Sequence, residues 1–221
     1  MKAIVLAAGL SRRMKRQKML LPFAGGTILS TVLAGLSDAR FERVLLVSSQ
    51  DTLAAFELLH PGLLTSRKPE LVVVVNDQPE AGQSTSLRRG LTAAGDGDFC
   101  VVLGDLPLVT GRHYRTYAGR FLERPQGTTA LVPRRGTALG HPAFFSPIWR
   151  SRFASAGGDV GGRSIVRAHE REVFWTEGED AFFRDVDTAC DYEAIVQNDK
   201  TRGYNESEAD DRGVCDDAHS L

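Results

Sequence analysis

Residues 2–23, KAIVLAAGLSRRMKRQKMLLPF, decide how the rest of this chain is read. A short apolar run ends in Ala7-Ala8-Gly9. A polar segment with Ser11, Arg12, Arg13, Lys15, Arg16 and Lys18 follows, and the chain then returns to apolar Leu20-Leu21. A strand that opens into small residues lets backbone N–H groups approach an anion closely, and the cations behind it neutralise charge. A polyphosphorylated ligand fits that pattern. A plain strand followed by a solvated basic loop fits it too.

Outward from this stretch, similar apolar runs recur at 44–47, 71–75 and 100–103, each nearly continuous and without alternation, like 3–6. Strands buried on both faces read this way. Between them, 27–36, 51–59 and 84–94 carry apolar residues at helical spacing, with Asp51 and Ser84 as expected N-caps. The strand–helix–strand order predicts an α/β fold with a mostly parallel central sheet and helices on both faces. Ligands then bind at the carboxyl ends of the strands, near the point where strand order reverses. The second half is less regular. It predicts strands at 128–132, 143–145, 171–175 and 182–184, and helices at 147–153, 164–168 and 189–197. From 198 to 221 the chain is polar and acidic, which predicts a disordered tail beyond one domain over 1–197.

Bulk properties narrow the classes. With 221 residues, 42% hydrophobic and 25% charged, the chain can bury one substantial core. A net charge of −1 supplies no overall field to gather nucleic acid. Cys100, Cys190 and Cys215 are far apart and form no C-x-x-C pair, so a disulfide framework or zinc knuckle is not indicated. No stretch approaches the roughly 20 apolar residues of a membrane span, and the first apolar run is too short for a signal peptide. The expected setting is a reduced cytoplasm, without membrane or nucleic-acid partners.

Four further motifs carry chemistry. In Leu103-Gly104-Asp105-Leu106-Pro107 an aspartate stands just past a buried strand, where it suits a Mg²⁺ ligand or a turn or cap aspartate. Asp185-Val186-Asp187-Thr188 follows a predicted strand. Alternation puts one carboxylate on each side of an extended chain, so Asp187 rather than Asp185 is expected to face a shared metal. Asp187 or Thr188 also suits a helix cap. Gly82, Ser84 and Ser86 open a predicted helix after a strand and suit a base edge, ribose or phosphate, or simply a serine cap. Gly140-His141-Pro142 and the glycine-rich 157–163 with Arg163 read as an anion-binding loop on the substrate side or as plain surface. Neither G-x-x-x-x-G-K-[ST] nor a G-x-G-x-x-G after the first strand is present.

In order and spacing, L-A-A-G-x-S-x-R-M with a lysine shortly after, G-D-x-P-L-V, G-H-P and D-V-D-T resemble the MobA-like nucleotidyltransferases over about residues 1–197. Within that family the chain is most similar to the molybdenum cofactor cytidylyltransferases. Leu-Ala-Ala-Gly matches the cytidylyl branch, whereas the guanylyl branch usually reads Leu-Ala-Gly-Gly. The resemblance implies a single three-layer Rossmann-like domain and a Mg²⁺-dependent reaction, with Mn²⁺ as a substitute. In it, the terminal phosphate of a molybdopterin-type acceptor attacks the α-phosphate of CTP and pyrophosphate leaves. By position it implies Ala7, Ala8 and Gly9 along the nucleotide, Arg13 and Lys18 on its phosphates, and Gly82, Ser84 and Ser86 at base and ribose. Asp105 and Asp187 would hold the metal, Arg13, Lys18 and Asp105 being catalytic, with His141 and Arg163 facing the acceptor. It also implies transient contact with a molybdoenzyme or its chaperone. Lys15 stands where the family usually has a glycine. The residues leave open a GTP-using or other-acceptor transferase, a nicotinamide-dependent oxidoreductase on the same fold, and a non-catalytic nucleotide-binding chaperone.

Overall fold

A computed structural model describes residues 1–14, 16–65, 69–155 and 162–197. The first half runs β1 (Lys2–Leu6), β2 (Pro22–Phe23), β3 (Gly26–Thr27), α1 (Ile28–Ser37), β4 (Arg43–Ser48), α2 (Gln50–Leu59), β5 (Glu70–Val75), α3 (Gln83–Ala94), β6 (Phe99–Leu103) and α4 (Gly111–Leu122). The second half adds β7 (Ala130–Arg135), β8 (Ala138–Leu139), β9 (Ala143–Phe145), α5 (Trp149–Ser155), α6 (Gly162–Ala168), β10 (Val173–Glu177) and a last helix, α7, over 189–197.

The main sheet has the order β10-β7-β9-β6-β1-β4-β5, with β8 paired to β7. Only β9 and β8 run against the others, so the sheet is mostly parallel, as expected. Along β1 the side chains divide by parity. Ala3 and Val5 join the core under α1, α2 and α4, while Ile4 and Leu6 join the core under α3, α5 and α6. Each fully buried leucine or phenylalanine on these faces contributes roughly 1.5–3 kcal/mol. That two-sided burial is why the strand run shows no polar alternation. The chain goes from β1 to β4 and β5 on one side, then crosses back to β6 on the other. The reversal falls between β1 and β6, and the loops leaving their carboxyl ends carry Ala8-Gly9 and Gly104-Asp105.

Three local expectations are corrected. The run at 71–75 forms β5, an edge strand with Val73 and Val75 exposed rather than buried on both faces. Helix α2 is capped by Ser49, whose side chain accepts from Thr52 N, not by Asp51, and α3 starts from Gly82 rather than Ser84. Residues 180–183 form a single 3₁₀ turn (Asp180–Phe183) where a strand over 182–184 was expected. Two expectations, the Lys15 substitution and the disordered tail over 198–221, lie outside the described residues, as does the glycine run at 157–161.

Candidate active site

A cleft of about 490 Å³ opens at the β1/β6 reversal. Its floor and walls include Ala8, Gly9, Arg13, Lys18, Asp105 and Asp187. Gly104 lets the two strand ends come together. A Cβ there would lie 3.0 Å from the Ala7 side chain and 3.3 Å from Leu6 O. The segment after β1 is held by Ser11, which adopts φ +48°, and by Gln17. Ser11 Oγ donates to Gln17 Oε1 at 2.9 Å and accepts from Lys18 N at 3.1 Å. Gln17 Nε2 donates to Thr52 Oγ1 of α2 at 2.7 Å and reaches Gly9 O at 3.4 Å. Ser11 and Gln17 thus tie this loop to Gly9 and α2, while the side chains of Arg12, Arg13 and Arg16 stay exposed. A glutamine in a polar run gives no sign of this in the sequence.

At the centre, Lys18 Nζ donates to Asp105 Oδ2 at 2.5 Å and to Asp187 Oδ1 at 2.8 Å, while Arg13 Nη2 donates to Asp187 Oδ2 at 2.7 Å. Burial alone would lower the Lys18 pKa, but the two carboxylates outweigh it and raise it above the ordinary lysine value. Burial likewise pushes the Asp187 pKa up, and Lys18 and Arg13 together bring it below the usual carboxylate range. Asp185 moves the other way, raised by burial and by the negative charges of Asp105 and Asp187.

Local structure also explains why these acids are free to meet. Helix α4 is capped by Thr110, so Asp105 caps nothing. Thr188 caps α7 in a reciprocal pair with Asp191. Thr188 Oγ1 accepts from Asp191 N at 3.2 Å, and Asp191 Oδ2 accepts from Thr188 N at 2.7 Å. Asp187 keeps its carboxylate for the cleft. Val186 N donates to Asp105 O at 3.1 Å and Val186 is wholly buried, which docks this segment beside Asp105. Because 184–187 is neither pleated nor part of a strand, the alternation argument fails. Asp105, Asp185 and Asp187 all offer an oxygen within 4.8 Å of one another. Asp105 Oδ1 is buried with no hydrogen-bond partner among the described residues. An all-oxygen set with an orphaned buried acceptor fits a hard divalent cation.

The remaining predicted residues separate. Ala7 is wholly buried and its backbone is used within the sheet, its N–H bonded to Val47 O at 2.8 Å and its carbonyl accepting from Ser48 Oγ at 3.0 Å. It does not line the cleft, whereas Ala8 and Gly9 do. Gly82, at φ +92°, and Ser86 line its far wall, and Ser86 Oγ accepts from the buried Asn76 Nδ2 at 2.9 Å. Ser84 faces a second, more apolar cleft of about 430 Å³, together with His141, Leu139, Val166 and Phe153. Arg163, at the start of α6, borders both clefts. Burial lowers the pKa of His141 to about 4, and Nδ1 lies 3.3 Å from Val101 O, so the ring is neutral at pH 7. No helix among the described residues is long and apolar enough to cross a membrane.

The model of the MobA-like NTP transferase domain matches residues 3–173. The bifunctional protein GlmU of Rhizorhabdus wittichii is 32% identical over 136 residues, covering 59% of this chain and 27% of GlmU. The chain spans about a quarter of the length of the curated relatives it matches. Among solved structures, Rv0371c from Mycobacterium tuberculosis superposes with a TM-score of 0.73 at 27% identity, over 89% of this chain and 97% of that one. The same protein in complex with manganese gives 0.69 at 26% identity, with the same shares of the two chains. A nucleotidyl transferase from Methanothermobacter gives 0.74 at 23% identity, over 91% and 98% of the two chains, a likeness of fold.

Proposed function

Because this chain belongs to the MobA-like NTP transferase family, we propose that it transfers CMP from CTP to the terminal phosphate of Mo-molybdopterin and releases pyrophosphate. The observation that carries this reading is the cluster of Arg13 and Lys18 on Asp105 and Asp187, with Asp185 beside them, under a cleft bordered by Ala8 and Gly9. Transfer at a phosphate asks for positioning and charge neutralisation more than for covalent help from the protein. Here the Ala8-Gly9 backbone and the two cations hold the triphosphate. Asp105, Asp187 and Asp185 would hold Mg²⁺ or Mn²⁺, which when bound offsets the charge developing on the phosphate oxygens. The acceptor phosphate is already an anion near neutral pH, so no strong base is needed. Gly82 and Ser86 border base and ribose. Ser84, His141 and Arg163 serve the acceptor side, where the neutral imidazole contributes a hydrogen bond and Arg163 the charge. The preference for CTP follows the Leu-Ala-Ala-Gly sequence. Residues 1–197 form the transferase domain, which acts in the cytoplasm and hands its product to a molybdoenzyme or its chaperone.

The test is pyrophosphate release with each of the four NTPs, Mg²⁺ or Mn²⁺, and molybdopterin present or absent. Release with CTP that depends on both metal and pterin is the expected result. Release with GTP or with another phosphorylated acceptor would move the assignment within the family. Metal-independent oxidation of NADH or NADPH would overturn it.

A further inference from the structure

The two metal-side acids that Lys18 touches have four carboxylate oxygens. Lys18 holds Asp105 Oδ2 and Asp187 Oδ1, Arg13 holds Asp187 Oδ2, and among the described residues only Asp105 Oδ1 is without a partner. A divalent ion that draws on both acids must therefore take an oxygen now held by one of the two side chains. Lys18 is the better candidate to yield, since it binds both acids at once. Its backbone is fixed, with N bonded to Ser11 Oγ at 3.1 Å, so only the flexible stem has to move. The same cleft that exposes the carboxylates is lined by Ala8 and Gly9, where a triphosphate would offer the ammonium new acceptors.

We propose that Lys18 is an exchangeable internal cation: without nucleotide its ammonium occupies the Asp105–Asp187 pair, a divalent metal must displace it, and the incoming triphosphate accepts it. This rests on the reading that metal and triphosphate meet in this cleft, and it adds a function to the lysine beyond gripping phosphate. Metal and nucleotide then bind with positive coupling, because each relieves the other of the same ammonium. The partly buried carboxylates are never left without a cation, which limits the desolvation cost of an open site.

The test measures Mn²⁺ binding to the full chain by electron paramagnetic resonance, without nucleotide. Lys18→Met removes the competing ammonium, so Mn²⁺ should bind about tenfold tighter or more. Arg12→Met removes one charge from the same segment but no contact to the acids, and screening should hold its effect within about twofold. Weaker or unchanged Mn²⁺ binding in Lys18→Met, or an equal gain in Arg12→Met, would overturn the proposal. Should Lys18→Met fail to fold, the unmodified chain carries the test. The side-chain ammonium signal of ¹⁵N-labelled Lys18, assigned by its loss in Lys18→Arg, should shift or vanish on adding Mg²⁺ alone. A signal unchanged at saturating Mg²⁺ would overturn the exchange. These readouts use no acceptor and no CTP, so a failed cytidylyl assay leaves them standing, and the reverse also holds.

Discussion

Two clefts of similar size share one sheet edge, and they differ in almost everything else. The first, about 490 Å³, gathers Arg13, Lys18, Asp105, Asp185 and Asp187; the second, about 430 Å³, is walled by Leu139, Val132, Phe145, Phe153 and Val166, with Gln83, Ser84, His141 and Arg163 among its polar groups. Leu6, Gly82, Gln83, Leu103 and Arg163 belong to both. One side concentrates charge in a partly buried site where electrostatics is strong; the other is mostly apolar surface. On the proposed function, the difference would let the chemistry and the choice of acceptor be carried by separate walls. It should therefore be possible to damage one without the other.

The largest effect should come from Asp105→Asn. It keeps the side-chain shape but removes a carboxylate that meets both Lys18 and the cation site, and turnover should fall about a thousandfold or more. Circular dichroism should report a retained fold, and a variant with wild-type turnover would break the assignment of the polar cleft. Next, Arg13→Met removes an exposed charge-assisted contact. The KM for the nucleotide should rise about tenfold or more while the KM for the acceptor stays within about twofold. Gln17→Leu cuts the ties from the loop to Thr52 and Gly9 without removing charge. A several-fold rise in nucleotide KM, on the scale of about 1 kcal/mol, is expected with kcat nearly kept, and Gln17→Glu, which keeps an acceptor for Ser11, should recover only part of it. On the apolar side, Leu139→Ala should raise the acceptor KM several-fold and leave the nucleotide KM unchanged. An effect on the nucleotide instead would erase the distinction between the two walls.

The smallest effect concerns pH. His141 is neutral when folded, with a pKa near 4, whereas an exposed imidazole titrates near 6.5. Between those values the unfolded chain binds a proton that the folded chain does not, so stability rises with pH across that window and is lost as pH falls through it. His141→Gln should flatten the dependence of melting temperature on pH between about 6.5 and 4. An unchanged slope would mean that His141 is solvated and that its cleft is wetter than described.

Much of this organisation is legible in the sequence because burial on both faces leaves a mark. The runs at 3–6, 44–47 and 100–103 are strands as read, and 189–197 is a helix as read. The run at 71–75 shows the limit: four valines in a row say strand but not where in the sheet, and β5 lies at the edge. The site was legible where one residue type must follow a strand end, as with Asp105. It was not legible where a partner several residues away decides the outcome. Asp185 joins the acidic group because the preceding 3₁₀ turn and the Val186–Asp105 backbone bond aim it there, and strand alternation says the opposite. Ala7 looks like part of the phosphate loop, yet both its backbone groups are bonded within the sheet. Ser84 looks like a cap, but Gly82, at φ +92°, starts the helix and turns the serine toward the other cleft.

On the proposed function, one cation joins the acids of the polar cleft to the nucleotide. Electron–nuclear double resonance of Mn²⁺ bound with CTP to the chain labelled with ¹³C at aspartate carboxylates tests this most directly. Coupling of the same Mn²⁺ to both ³¹P and carboxylate ¹³C is predicted, with the ¹³C coupling reduced in Asp105→Asn. Coupling to ³¹P with no ¹³C coupling would contradict it, because the metal would then ride on the nucleotide without touching the protein's acids.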